Sequence, residues 1–207
     1  PISWGCNIPH IPASDMAPAP QADQPCRLLF IGLDWERKGG DIVLETAAIL
    51  HARGFACHFD LVGAVPEVGV LGPNVTLHGL LKKSDPAQFE KFLGLLRSAS
   101  VLFLPTRQDC TPMVFAEANA LGVPALASDV GGVSGVITHG ENGLLLSGDA
   151  SAAYFADAII TLWGDRPRYL AMRKTARAAY DERLNWSAWA KRMAEMIDQL
   201  PQPGVRH

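Results

Sequence analysis

Short apolar runs alternate with helical stretches along most of the chain, and this alternation constrains the fold more than any other sequence feature. The first run, 28–31, precedes a predicted helix over about 40–53 whose apolar side chains recur on one face. Repeated pairs of a strand and a helix predict an α/β fold with a parallel sheet covered on both faces. Further strands are predicted at 59–62, 75–78, 101–104 and 125–127, and further helices at about 86–98, 112–121, 151–163, 166–180 and 187–199.

Length and composition bound the class of protein. A chain of 207 residues with 48% hydrophobic residues can bury one sizeable core. No apolar run is long enough for a membrane span and no signal-peptide pattern is present, so we expect a cytoplasmic location. The formal net charge of −3 gives no reason to expect a nucleic-acid partner. The four cysteines lack the paired spacing of a zinc site, and no metal is expected.

The beginning of the chain differs from the rest. The first 25 residues are rich in proline and alanine and show neither a helix nor a strand period. We therefore interpret 1–25 as a linker or extended lead-in, and 26–207 as the folded domain with its C-terminal helices.

The loop after the first predicted strand carries two adjacent cations, Arg37 and Lys38, between glycines. Glycines such as Gly32 and Gly39 let the backbone approach a ligand closely. Cations at a helix start are unfavourable unless an anion lies beside them. The alternative is a solvated pair of cations, but the pattern favours an anionic ligand.

Two carboxylates, Asp109 and Glu117, lie eight residues apart across a loop-to-helix junction. The helix that follows from about Pro112 offers unpaired backbone N–H groups at its start, which is a natural phosphate site. Paired acids beside such a site suit a phosphorylated sugar. The spacing alone leaves open that Asp109 is a turn or capping residue and that Glu117 is a surface residue of the helix.

This segment resembles the signature of the family 4 retaining glycosyltransferases, in which two glutamates are separated by seven residues. Here Asp109 stands in the first place and Glu117 in the second. The family's later motifs are matched in the same order, and the likeness covers roughly 26–195. These later matches are Gly122-Val123-Pro124, the glycine pair Gly131-Gly132 and a turn at 140–145. In addition, 2–9 resembles the segment that joins the two domains of these enzymes.

The resemblance implies the C-terminal, nucleotide-sugar-binding half of a two-domain enzyme of GT-B architecture, with a Rossmann-like sheet. It implies a nucleoside diphosphate sugar as donor substrate, no separate cofactor, and transfer with retained anomeric configuration. The acceptor, a glycan or a lipid, would be bound by a missing N-terminal domain, and the full-length enzyme could associate peripherally with a membrane. The isolated chain is then expected to bind a nucleoside diphosphate but to transfer no sugar.

The resemblance also assigns roles to individual residues. Lys38 and Arg37 would contact the diphosphate, Glu117 the ribose, and Asp109 the sugar, so that Lys38 and Asp109 are the candidate catalytic residues. Backbone groups would serve the base, the sugar and the phosphates. The backbone positions are Gly32 and Gly39 in the phosphate loop, Leu81 and Lys82 at the base, and Thr111, Met113 and Val114 at the helix start.

Four departures from the family pattern accompany these assignments. Leu33 stands where members often have arginine, and Asp109 replaces a glutamate. Residues 110–114 replace a commoner Phe-Gly segment, and Gly135 stands where an acid often follows the glycine pair. Two other functions remain open at this point. One is a non-catalytic nucleotide-sugar-binding module, and the other is a sugar-nucleotide epimerase of the same architecture, which would need further histidine and acid groups.

Overall fold

The computed structural model describes residues 5–63 and 71–199, in which six parallel strands form one sheet with helices around it. The strands are β1 (Cys26–Gly32), β2 (Cys57–Gly63), β3 (Val75–Gly79), β4 (Val101–Leu104), β5 (Ala125–Asp129) and β6 (Gly143–Ser147). The helices are α1 (Gly40–Ala52), α2 (Pro86–Ser98), α3 (Met113–Ala120), α4 (Ala152–Gly164), α5 (Arg166–Arg183) and α6 (Trp186–Asp198). The predicted α/β fold, a Rossmann-like parallel sheet, is confirmed.

The sheet order is β3-β2-β1-β4-β5-β6, so β1 pairs with both β2 and β4. All four residues of β4 are buried, which explains why this strand is apolar throughout rather than alternating. Its neighbours β1 and β5 are also mostly buried. The core therefore lies on both faces of the central strands.

Local signals place the helix starts. Asp85 accepts a hydrogen bond from the N–H of Gln88 at 3.0 Å, and Pro86 occupies the first turn of α2. Asp165 caps α5 in the same way. These start signals are why helix boundaries predicted from the sequence lie within a few residues of the observed ones.

The strand β6 was not among the predicted strands, because 140–145 was interpreted as a turn. The turn ends at Asn142, and β6 then pairs in register with β5, from Ala125 opposite Gly143 onward. Three consecutive leucines give this edge strand its apolar contacts, and Leu144 is buried in the core. Only pairing with β5 distinguishes this short run from a loop.

The lead-in segment packs on the domain over its described part, residues 5–25, which contains a 3₁₀ turn at Ala13–Asp15. Its apolar side chains Cys6, Ile8, Ile11 and Ala17 are buried. Arg177 of α5, itself buried, donates hydrogen bonds to the carbonyls of Ile11 at 2.8 Å and Ala120 at 2.5 Å. The division into a linker and a domain stays a prediction, and residues 1–4 and 200–207 lie outside the described part.

None of the helices in the described residues combines the length and apolarity needed to cross a bilayer.

Candidate functional site

The sheet changes direction between β1 and β4. From β1 the chain adds β2 and β3 on one side, and it then adds β4, β5 and β6 on the other. In open parallel sheets such a reversal leaves a crevice beyond the carboxyl ends of the two central strands, where ligands bind. The loop 33–39 follows β1 and the loop 105–112 follows β4, so both predicted ligand loops lie at this crevice.

Backbone contacts join these two loops. The carbonyl of Arg37 accepts hydrogen bonds from the N–H of Arg107 at 2.8 Å and from Oγ1 of Thr106 at 3.1 Å. In return, the Arg37 guanidinium donates to the carbonyl of Gln108 at 3.0 Å. The crevice therefore has a wall of fixed geometry.

Gly39 is the N-cap of α1 and lies in the left-handed region, with φ 75°. A Cβ there would come within 2.0 Å of the carbonyl oxygen of Pro105. Glycine is needed here for two reasons. Other residues rarely adopt this backbone conformation, and the carbonyl of Pro105 belongs to backbone that cannot move away from a Cβ. At Gly32 a Cβ would lie 2.9 Å from Cγ of Lys38, so this glycine leaves room for the lysine stem.

Gly131 and Gly132, the glycine pair that follows β5, contact the loop after β4. Gly132 donates its N–H to the carbonyl of Asp109 at 2.9 Å. A Cβ on Gly132 would fall 1.7 Å from the carbonyl oxygen of Cys110. Close backbone approach therefore accounts for the glycine pair that the sequence places after β5.

Lys38 and Asp109 form an ion pair across the two loops, and their side chains are 14% and 10% exposed. The Lys38 N–H donates to the carbonyl of Asp34 at 2.9 Å. The two candidate catalytic residues are thus brought together, although 71 residues separate them. The arrangement places a poorly hydrated cation and an anion at the mouth of the crevice.

Arg37 is engaged on the loop itself. Its Nε donates to Asp34 at 3.0 Å, and hydrogen bonds from the backbone and side chain of Arg37 lower the pKa of Asp34. Both side chains are well exposed, at 40% and 52%. These contacts hold the phosphate loop together, and contact of Arg37 with a diphosphate stays a prediction.

The start of α3 has no side-chain cap. Pro112 is the N-cap residue and has no N–H, and none of the described residues accepts a hydrogen bond from the N–H groups of Thr111, Met113 or Val114. These groups and the positive end of the helix dipole are available to an anion.

Glu117 lies one turn into α3 and is only 3% exposed. Its Oε1 accepts a hydrogen bond from Nζ of Lys83 at 2.5 Å, across the sheet from the loop between β3 and α2. The same loop carries Leu81 and Lys82. The N–H of Lys82 already donates to Oε1 of Gln88 at 2.9 Å, whereas none of the described residues accepts a hydrogen bond from the N–H of Leu81.

Sequence reasoning missed two charged residues at the crevice, Lys83 and Arg107. Arg107 binds Asp41 through both Nη1 and Nη2, at 2.8 and 2.6 Å, and this pairing lowers the pKa of Asp41. Arg107 also donates to the carbonyl of Glu36 at 2.5 Å. The sequence held no signal for either residue, because both pairings depend on which loops the sheet order brings together.

His78 of β3 lies in a polar group within the sheet. Its Nε2 is 2.7 Å from Oδ1 of the buried Asp60, which also binds Arg27 at 2.6 Å. These contacts run between neighbouring strands and fix β3 to the sheet. In residues 5–63 and 71–199, no three histidine, cysteine or acidic side chains cluster in a way that could hold a metal ion.

Comparison with known sequences places this site in a family context. The model of the family described as glycosyl transferases group 1 matches residues 25–165. D-inositol 3-phosphate glycosyltransferase of Nocardia farcinica is 33% identical over 162 residues, which is 72% of this chain and 36% of the relative. The enzyme of the same name from Corynebacterium urealyticum is 30% identical over 193 residues, 86% of this chain and 45% of the relative. The chain thus spans less than half the length of these relatives.

Solved structures share the fold. Sucrose-phosphate synthase from Thermosynechococcus elongatus superposes with a TM-score of 0.69 at 25% identity, over 86% of this chain and 46% of that one. Anabaena Alr3699/HepE in complex with UDP-glucose gives a TM-score of 0.67 at 18% identity, over 86% of this chain and 50% of that one. The likeness extends over most of this chain and about half of each neighbour.

Proposed function

The chain belongs to the glycosyl transferases of group 1, and we propose that it binds a nucleoside diphosphate sugar as donor in the crevice between the loops after β1 and β4. The enzyme would transfer the sugar, with retained anomeric configuration, to an acceptor glycan or lipid held by a domain outside this chain. One observation carries the proposal: Lys38 and Asp109 pair across the two loops at this crevice, next to the uncapped start of α3.

The diphosphate would lie between Lys38 and the start of α3. A lysine that is 14% exposed is weakly hydrated, so its ammonium group interacts strongly with a phosphate oxygen. The N–H groups of Met113 and Val114 and the helix dipole add donors on the opposite side. We expect the diphosphate to displace Asp109 from Lys38, since two anions compete for one cation.

The nucleoside would lie toward β3. The Glu117 carboxylate would accept hydrogen bonds from ribose hydroxyls in this arrangement, and the N–H of Leu81 would meet the edge of the base. Lys82 would help to shape this loop and would not contact the base through its N–H, which already donates to Gln88. The base itself is left open by these contacts.

Transfer would break the bond between the anomeric carbon and the leaving phosphate oxygen, and form a bond from that carbon to the acceptor oxygen. Negative charge grows on the diphosphate as it leaves, and Lys38 with the α3 N–H groups stabilises it there. Asp109, once released from Lys38, accepts a hydrogen bond from a sugar hydroxyl. The acceptor proton passes to the leaving phosphate or to a base on the acceptor side.

The relatives support this chemistry by what their names record. The relatives from Nocardia farcinica and Corynebacterium urealyticum are named as glycosyltransferases, and the neighbour HepE was solved with UDP-glucose. These names support the reaction type, and the substrates of this chain have to be established by experiment.

Titration calorimetry of the chain with UDP, GDP, ADP and their glucose or mannose conjugates tests the proposal. We expect one diphosphate series to bind with one site per chain, and the chain alone to transfer no sugar to added acceptors. Binding of none of these ligands would overturn the donor-site proposal. Sugar transfer by the chain alone would contradict the need for a separate acceptor domain, and conversion of the sugar to its epimer would support an epimerase.

A further inference from the structure

Glu117 is a nearly buried carboxylate that, among the described residues, forms its ion pair with Lys83. Glu117 is 3% exposed and Lys83 33% exposed, and Nζ lies 2.5 Å from Oε1. A buried carboxylate is costly unless it is paired and hydrogen-bonded, and removal of its partner leaves an uncompensated charge. The pairing with Lys83 therefore stabilises the buried carboxylate of Glu117.

Contacts on three sides fix the Lys83 ammonium. Besides Glu117, Nζ lies 4.6 Å from the centroid of the Phe92 ring on α2. It also donates to the carbonyl of Asn7 in the lead-in segment at 3.4 Å. A lysine held by a carboxylate, a ring face and a carbonyl has little freedom to move.

The pairing leaves half of the carboxylate for a ligand. An ionised carboxylate accepts hydrogen bonds at both oxygens. Lys83 occupies Oε1, and in the described part of the chain no residue donates to Oε2.

We propose that Lys83 is a positioning residue for the ribose of the donor. It pairs with the Glu117 carboxylate and fixes Oε1, so that Oε2 is left to accept a hydrogen bond from a ribose hydroxyl. The inference rests on the proposed function, since it takes the ligand of Glu117 to be a ribose. The rival account makes Lys83 a latch that the ribose must displace, and it gives the opposite sign of effect.

The experiment compares a nucleoside diphosphate with its 2′,3′-dideoxy analogue by calorimetry, using whichever of UDP, GDP or ADP the wild-type chain binds. Hydrogen bonds to a charged group contribute enough binding free energy that we expect the wild-type affinity for the ribonucleotide to exceed that for the dideoxy analogue by about tenfold or more. Lys83→Met replaces the ammonium group by an apolar side chain of similar length. In this variant we expect the affinities for the ribonucleotide and the dideoxy analogue to differ by no more than about twofold, while the affinity for the dideoxy analogue itself changes little. Lys83→Arg should restore it, and Lys91→Met on the exposed side of α2 is the matched control.

The outcomes separate the accounts. Equal weakening of both ligands in Lys83→Met would show a structural role only and overturn the inference, as would a wild-type preference that persists in the variant. Tighter ribonucleotide binding would establish the latch. Failure of the wild-type chain to bind any diphosphate would overturn the proposed function itself, and thermal unfolding of each variant checks that the fold is kept.

Discussion

Lys38 and Asp109 form an ion pair that closes the gap between the loops after β1 and β4, with both side chains largely shielded from water. Under the proposed function, a diphosphate that binds Lys38 would replace Asp109 as its counter-charge. Asp109 would then turn toward the sugar carried by the same ligand. In that account the ion pair links the arrival of the phosphates to the formation of the sugar contact.

We expect Lys38→Met to weaken diphosphate binding by about tenfold or more while the nucleoside without phosphates is little affected, because the lost group interacts with phosphate oxygens. Calorimetry with UDP and uridine, or the matching pair for the base that binds, measures this. Arg37→Met is the comparison variant, and we expect a smaller loss because Arg37 is engaged with Asp34 and Gln108. Equal losses for diphosphate and nucleoside in Lys38→Met would refute the phosphate role.

The two acids should separate by ligand. Glu117→Gln is expected to weaken the free diphosphate and its sugar conjugate alike, by about tenfold or more, because both carry the ribose. Asp109→Asn should chiefly erase the preference for the conjugate, since Asp109 lies before the helix and nearer the sugar. Dissociation constants of both ligands for both variants give the answer. Asp109 is not a sugar contact if its variant loses the free diphosphate as strongly as the conjugate.

Arg107 should influence binding without contacting the ligand. Its two hydrogen bonds to Asp41 and its hydrogen bond to the carbonyl of Glu36 connect the β4 loop with α1 and the β1 loop. Arg107→Ala is expected to reduce diphosphate affinity several-fold, while the free energy of unfolding changes by only about 0–1 kcal/mol, because the pair is exposed to solvent. Arg97→Ala removes a similarly exposed pair with Glu90 and should leave affinity unchanged. Identical affinities of the two variants would contradict the bracing role.

Alkaline pH should destabilise the domain through Cys26. This thiol is completely buried, and desolvation, followed by the nearby Cys57, raises its pKa well above the ordinary value. A raised pKa in the folded state means that the stability it contributes is present below about pH 9 and is lost as pH rises further, because only the unfolded thiol ionises. Denaturant unfolding between pH 8 and 10.5 should show that the free energy of unfolding falls less steeply with pH in Cys26→Ala than in the wild type.

The exposed Cys110 supplies the control for the pH series. Cys110→Ala should keep the wild-type slope, because that thiol meets water in both the folded and the unfolded chain. A wild-type slope in Cys26→Ala would show that burial of this thiol does not govern the alkaline limit.

Most of the fold follows from local patterns. The apolar run of β4 and the Asp85-Pro86 start of α2 each specify an element without reference to distant residues. The strand β6 escaped prediction because three leucines after a turn fit a loop or an edge strand equally well, and only pairing with β5 decides between them.

The candidate site was predicted as single residues and not as contacts. Asp109, Glu117 and Lys38 are recognisable from their motifs, but their partners are set by the order of strands in the sheet. Lys83 approaches Glu117 because the β3 loop and α3 meet across the sheet, and 34 residues separate them in sequence. No spacing rule predicts such a pair, so Lys83 could not be assigned to the site from the sequence.

The crystal structure of the chain with a bound nucleoside diphosphate sugar is the measurement that tests the central claim most directly. We predict that the diphosphate lies within hydrogen-bonding distance of Nζ of Lys38 and of the N–H groups of Met113 and Val114, with the ribose on Glu117 and Asp109 turned from Lys38 to the sugar. A nucleotide bound away from the crevice between the β1 and β4 loops, or one that leaves the Lys38–Asp109 pair intact, would contradict the account.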